Sequence, residues 1–194
     1  MTKTIIWDFD DVLFDTLGHW VRWYGDKTGK SLRFSDLQDN PPLNSAGISF
    51  DKYRALMDEF RSSEFALDAA PDSFLSDWFE KYGPRFIHIV LTARPLVNMG
   101  SAAQWTFTHF GKWIHTISYI NSPRPDDKVY RPFKSKGEWI TYFQPTGYYI
   151  DDSPFHIDSV VSNSITPFLL SKPWNSGNST LPEILTKITT ENGF

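Results

Sequence analysis

The chain has 194 residues, a formal net charge of -4, 40% hydrophobic and 22% charged residues, and no cysteine. That length suits one domain with a modest insertion. The charge argues against generic nucleic-acid binding, and the missing thiols exclude disulfides, zinc–thiolate sites and a cysteine nucleophile.

No apolar run approaches the roughly 20 residues that a membrane helix needs, and no apolar leader precedes the first strand pattern. The sequence therefore predicts a soluble, cytoplasmic protein. Aromatic residues are abundant, with 8 Trp and 16 Phe. So many rings can build a large core and leave some for a surface that faces a ligand.

In chain order, "TIIWD" from Thr4 reads as the first strand. It runs straight into Asp8, Asp10 and Asp11, with Asp15 an apolar step further on. Carboxylates crowded in this way repel one another unless a cation or a proton sits among them. Residues 16–70 then break any strand–helix alternation. They hold "HWVRWYGDKTG", a Pro/Asn/Ser-rich loop, and "SFDKYRALMDEFRSSEF", with helical spacing of Phe50, Tyr53, Leu56, Met57 and Phe60. This stretch predicts a small helical cap inserted after the first strand.

From there the alternation is regular. "DSFLSDWFEKYG" predicts a helix that stops at Gly83-Pro84. The runs "FIHIVLT", "WIHTISYI", "GYYID" and "ITPFLL" predict four more strands, separated by helical patterns in "LVNMGSAAQWTFTHFG" and "KGEWITYFQ". A long loop, "NSPRPDDKVYRPFKSK", precedes the second of these helices. The pattern implies an α/β fold, a three-layer Rossmann-like parallel sheet, with residues 1–15 and 71–194 as the core domain.

In such sheets ligands bind beyond the carboxyl ends of the strands. The first strand ends at Asp8-Phe9-Asp10, the second at Thr92-Ala93-Arg94 and the fourth at Asp151-Asp152. Lys136 opens the helix before the fourth. The strand order is not readable, but these groups project from one edge. A hard divalent cation, Mg2+ above all, would offset their charge with oxygen ligands.

These residues also carry a resemblance. "DFDDVLFDT", "VLTAR", "SKGEWI" and "YYIDDSP" resemble, in order, the four motifs of the haloacid dehalogenase (HAD) superfamily. The short insertion, "IDDSP" and "LLSKPWN" are most similar to its 5'-nucleotidase and deoxyribonucleotidase branch.

The resemblance implies Asp8 as the nucleophile and Asp10 as general acid and then base. It implies phosphate contacts from the Thr92 hydroxyl, the Ala93 amide and Lys136. It implies a Mg2+ site from Asp8, the Asp10 carbonyl and Asp152, with Asp151 beside it. For its acid role the Asp10 carboxyl has to be raised by Asp8 and by burial. Lys134 rivals Lys136. The family usually has glycine where this chain has Asp11.

Blander readings stand beside these. Arg94 is a candidate for phosphate, but pairing with a nearby carboxylate is the stronger reading. Asp15 caps or orients the insertion. His88 and His115 lie inside strands and read as structural. Trp20 and Trp23, with Tyr24 and Phe60, are either cap core or rings that face a base.

The function that follows is a Mg2+-dependent phosphomonoesterase acting on a small phosphorylated substrate, a nucleoside 5'-monophosphate first. A sugar phosphate or a polynucleotide 3'-phosphate is the alternative, the latter favoured by the basic loop. A silent binding module is a more distant one.

Overall fold

The computed structural model describes residues 2–120, 122 and 130–194. Five parallel strands form one sheet: β1 (Thr4–Trp7), β2 (Ile87–Thr92), β3 (Ile114–Tyr119), β4 (Gly147–Asp151) and β5 (Ile165–Leu169). Their order is β3-β2-β1-β4-β5, so β1 is central and β2 and β4 flank it. All five predicted strands recur with ends shifted by a residue or so.

Four helices lie between β1 and β2 ahead of the sheet-packing ones: α1 (Thr16–Thr28), α2 (Leu43–Ala46), α3 (Phe50–Arg61) and α4 (Glu64–Leu67). The remaining helices among the described residues are α5 (Ser73–Tyr82), α6 (Met99–Phe110), α7 (Lys136–Phe143), α8 (Pro154–Asp158) and α9 (Leu181–Glu191).

The central strands bury both faces, which explains their continuous apolar runs. Ile5, Trp7, Val90, Tyr148 and Ile150 meet Leu75, Trp78 and Phe79 of α5, Trp105 of α6, and Ile184, Leu185 and Ile188 of α9. On the opposite face Ile6, Leu91, Tyr149 and Ile165 meet Trp139 and Ile140 of α7. Sheet and two helical layers follow from that alternation.

Local chemistry sets the element ends. Asp72 caps α5 by accepting from the Leu75 amide at 3.0 Å. Pro95 begins a 3-10 turn over Leu96–Asn98, so α6 starts later than its apolar pattern. Helix α9 has no counterpart in the sequence reading, yet its start carries a full capping box between Thr180 and Glu183. Gly147 has φ +140°, and a Cβ there would overlap the Thr4 carbonyl. Glycine thus lets β4 lie tightly on β1. The register pairs Trp7 with Ile150, which brings Asp8 level with Asp151.

The segment between β1 and β2 shares its interior with the sheet. Trp20 stacks on Tyr24 at 4.8 Å between ring centres, while Phe14 joins Phe60 on one side and Trp105 on the other. One apolar cluster runs from Leu56 and Phe60 through Phe9 and Phe14 to the helices on the sheet.

Candidate active site

The carboxyl ends of β1, β2 and β4 converge because those strands are neighbours. Asp8 follows β1, Thr92 ends β2, and Asp151 ends β4. The fourth group comes from α7. Ser135 caps that helix by accepting from the Glu138 amide at 3.1 Å, which makes Lys136 its first residue. A Cβ on Gly137 would overlap the Ser159 carbonyl, so glycine allows α7 to approach the turn after α8.

Lys136 is fully buried, with its Nζ 2.8 Å from Asp8 Oδ1 and 2.6 Å from Asp151 Oδ2. Lys134 is exposed and, among the described residues, donates only its backbone amide, to Glu138. The buried ammonium between two carboxylates is therefore Lys136.

The three aspartates differ in what holds them. Asp151 is fully engaged: Oδ2 accepts from Lys136 and the Tyr149 hydroxyl, and Oδ1 from the Ser153 amide at 2.8 Å. Asp152 accepts at Oδ2 from the Trp174 indole at 2.9 Å. Its carbonyl accepts from Asn175 Nδ2 at 2.7 Å. Asp8 Oδ1 accepts from the Phe9 amide as well as from Lys136. Among the described residues no side chain or amide donates to Asp8 Oδ2 or Asp152 Oδ1.

One carboxylate oxygen from each of Asp8, Asp151 and Asp152 lies within 4.8 Å of the others. Burial and then Asp151 push the Asp8 carboxyl well above the carboxylate range, against the pull of Lys136. Burial and Asp151 likewise push Asp152 up to about 6. Burial opposes the Lys136 charge too, but Asp151 and Asp8 outweigh it and hold the ammonium above its ordinary value. One lysine thus leaves the cluster short of positive charge. A hard divalent cation fits that deficit and the free oxygens of Asp8 and Asp152.

Asp10 has the opposite surroundings. Arg94 forks onto it, with Nε–Oδ2 at 2.8 Å and Nη2–Oδ1 at 2.7 Å. The Thr16 hydroxyl donates to Oδ1 at 2.5 Å, and Arg61 Nη2 reaches Oδ2 at 3.3 Å. Burial alone would raise this carboxyl. Arg61 and Arg94 outweigh it and hold Asp10 far below the usual range. The raised acid predicted for Asp10 is corrected here: two guanidiniums reached from distant sequence keep it ionised. Arg94 takes the carboxylate pairing foreseen for it.

Thr92 is fully buried at the end of β2, and its Oγ1 accepts from the Arg94 amide at 3.2 Å. Ala93 between them is half-buried. Asp11 is buried in a left-handed conformation, φ +61°. Its Oδ1 accepts from the Leu17 amide at 2.8 Å, so Asp11 caps α1 while Asp15, at the cap position, makes no such bond.

Of the rings in residues 16–70 that were open between core and ligand, three take the core alternative. Trp20 is fully buried, and Tyr24 and Phe60 are core with it. Trp23 is half-buried, against Phe60 and under the Lys27 ammonium at 5.0 Å. None lines the cleft of about 490 Å3 beside Asp11. Phe34, His19 and Lys172 do. Phe34 meets Trp174 edge-on at 5.6 Å, one residue removed from Asp152.

Sequence reasoning missed Arg61, Thr16, Tyr149 and Trp174; only "LLSKPWN" flagged Trp174 at all. His88 is structural as predicted: Nδ1 accepts from the Trp7 indole and Nε2 bonds to the Gly83 carbonyl. The basic loop lies partly outside the described residues, at 121 and 123–129.

Solved structures share this arrangement of strands. A haloacid dehalogenase-like hydrolase from Streptococcus pneumoniae matches with TM-score 0.59 and 14% identity over 95% of this chain and 90% of its own. A HAD-type hydrolase from Bacillus subtilis, bound to magnesium, matches with TM-score 0.60 and 11% identity over 99% of both chains. The fold is the HAD hydrolase fold. A candidate phosphoglycolate phosphatase from Lactobacillus delbrueckii subsp. bulgaricus has it too, with TM-score 0.57 and 12% identity over 95% of this chain and 91% of that one. No family model matches the sequence, and no curated protein does.

The site thus offers buried carboxylates from Asp8, Asp151 and Asp152, a buried ammonium from Lys136, and an ionised carboxylate held by arginines. No helix is long and apolar enough to cross a membrane among the described residues.

Proposed function

We propose that this chain is a Mg2+-dependent phosphomonoesterase that works through an aspartyl phosphate on Asp8. The observation that carries this reading is the buried Asp8–Lys136–Asp151 group with Asp152 beside it, at the ends of β1 and β4. A carboxylate is a competent nucleophile for phosphoryl transfer, because the acyl phosphate it forms can be opened by water.

Lys136 keeps Asp8 oriented and offers its charge to a phosphate oxygen. Thr92 Oγ1 and the Ala93 amide stand on the neighbouring strand end as donors. Preorganised donors aimed at the equatorial oxygens are the main catalytic resource for this reaction. Mg2+ held by Asp8, Asp152 and the Asp10 backbone carbonyl would neutralise the carboxylates and polarise the phosphoryl group.

Asp10 as held here is ionised, but with Arg94 and Arg61 on it the carboxylate is a weak base. Loosening of those guanidiniums raises its basicity toward the water that opens the acyl phosphate. To protonate the leaving oxygen in the first half-reaction it must gain a proton, and that requires Arg94 and Arg61 to release it.

The substrate in this reading is a small phosphorylated metabolite, consistent with the name of the Lactobacillus neighbour. A nucleoside 5'-monophosphate is the finer proposal, resting on the resemblance to the nucleotidase branch and now on Phe34 instead of Trp20 or Trp23. Residues 16–70 act as the cap over this site. A Mg2+-dependent screen over nucleotides, sugar phosphates, phosphorylated hydroxy acids and 3'-phosphorylated oligonucleotides tests the reading. No turnover of any phosphomonoester would sink it.

A further inference from the structure

Arg61 sits in the last turn of α3, on the insertion, yet reaches Asp10 across 51 residues of sequence. Its contact is the weakest on that carboxylate. Arg94 already makes two charge-assisted bonds there at 2.7 and 2.8 Å, and Arg61 adds one at 3.3 Å. Arg61 Nε is buried and has no hydrogen-bond partner. A buried guanidinium N–H without an acceptor is costly, since burial removes the water that would satisfy it. Asp10, Tyr53, Asp58 and Asp11 are the groups whose charge favours the Arg61 cation. Arg94, next to it, disfavours a second cation and is itself lowered first by burial and in part by Arg61.

The two guanidiniums face a void of about 10 Å3 walled by Phe9, Phe14 and Trp105, which is too small for any substrate group as it stands. An arginine fork is suited to a planar carboxylate or to a phosphate, and here one is delivered by the insertion beside the residue that serves the leaving group.

We propose that Arg61 is a specificity residue that reads a second anionic group of the substrate, a carboxylate or a phosphate on the leaving-group side of the transferred phosphoryl. This rests on the phosphomonoesterase reading above. The incoming anion takes the free Nε–H together with the N–H now spent on Asp10, and the α3 end shifts to admit it.

Matched substrate pairs test this. One pair is 2-phosphoglycolate and ethyl phosphate, which differ by the carboxylate. The other is adenosine 3',5'-bisphosphate and adenosine 5'-monophosphate, which differ by the second phosphate. For each pair the ratio of kcat/KM, member with the second anionic group over member without it, is measured in wild type and in Arg61→Met. The ratio should favour the member with the second anionic group in wild type and fall about ten-fold or more in Arg61→Met for one pair, the size of one charged hydrogen bond. The pair that responds identifies the anion.

Arg61→Lys, which keeps the charge but loses the fork, should fall between them, and it serves as the reporter if the Met variant melts early. An unchanged ratio in both pairs overturns the inference while leaving the phosphatase reading intact. A wild type inert toward all four compounds and toward an aryl phosphate overturns both.

Discussion

Asp8 and Asp10 are two residues apart, and their carboxyls are driven in opposite directions. Asp8 meets Asp151 at the end of β4, Asp152 just after it, and one lysine; burial and the two carboxylates push its carboxyl up against the pull of that lysine. Asp10 meets Arg94 and Arg61, and its carboxyl is held far down despite burial. Both lie past the end of β1 at Trp7, and what folds against each of them decides its chemistry. A strand end bordered by a second acidic strand end gathers carboxylates with too little positive charge among them. A strand end bordered by the insertion and by the loop after β2 holds its carboxylate between two guanidiniums.

The harshest way to break this comparison is Asp8→Asn. It keeps the shape and removes the nucleophile, so kcat should drop below a few per cent of wild type while the melting temperature holds or rises. Retention of substantial turnover would mean that Asp8 is not the nucleophile.

Next in size is metal affinity. Asp152→Ala should weaken Mg2+ activation more than Asp151→Ala, because Asp151 has both oxygens committed to protein donors. Trp174→Phe should cost roughly ten- to hundred-fold in Mg2+ affinity by freeing Asp152 Oδ2. Half-activation titrations give the order, and the reverse order for the two aspartates would exchange their roles.

A pH series sharpens the contrast further. Asp152 is raised to about 6 without metal, so from its ordinary value up to there the folded protein binds more protons than the unfolded one. That contribution to stability is present at low pH and is lost as pH rises through about 6. His88, lowered to about 4 by burial, works in the other direction: its contribution is present above about 6.5 and is lost as pH falls toward 4. The two oppose each other in a melting curve without metal. The gain in melting temperature on adding Mg2+ isolates the carboxylates, and it should grow as pH rises from about 4 to above 6. A gain independent of pH would remove the raised carboxyls from the account.

The smallest expected effect belongs to Phe34→Ala. If a base stacks there, KM for a nucleotide should rise about five- to ten-fold, the low end of the roughly 1–3 kcal/mol that a stacked base contributes. The half-buried ring should leave the melting temperature nearly unchanged. An equal effect on ethyl phosphate would assign Phe34 to supporting Trp174 instead.

The fold was legible because buried parallel strands announce themselves as apolar runs and because helices between them force right-handed crossovers. Asp8, Lys136, Asp151 and Asp152 were legible because each sits at an element end. The partners of Asp10 were not: Thr16, Arg61 and Arg94 come from three elements, and strand order and cap docking bring them together. Ring roles were hidden for a related reason. Trp20, Tyr24 and Phe60 share helical spacing whether they face a core or a ligand, and only packing separates the two. Phe34 escaped notice because it lies in a 3-10 turn with no periodic signal. The start of α9 was written in the sequence as Thr180–Glu183, a capping signature overlooked among strands.

Asp11 carries a consequence for how the insertion is joined to the sheet. It holds a backbone shape that glycine adopts freely and that costs an aspartate some strain, and in return its carboxylate ties the loop after β1 to the first turn of α1. Replacing it with glycine would relax the loop, give the unfolded chain more freedom and cut that tie. The loop between β1 and α1 would then behave as a hinge where it now behaves as a weld, and the angle at which α1 leaves the sheet would become a variable.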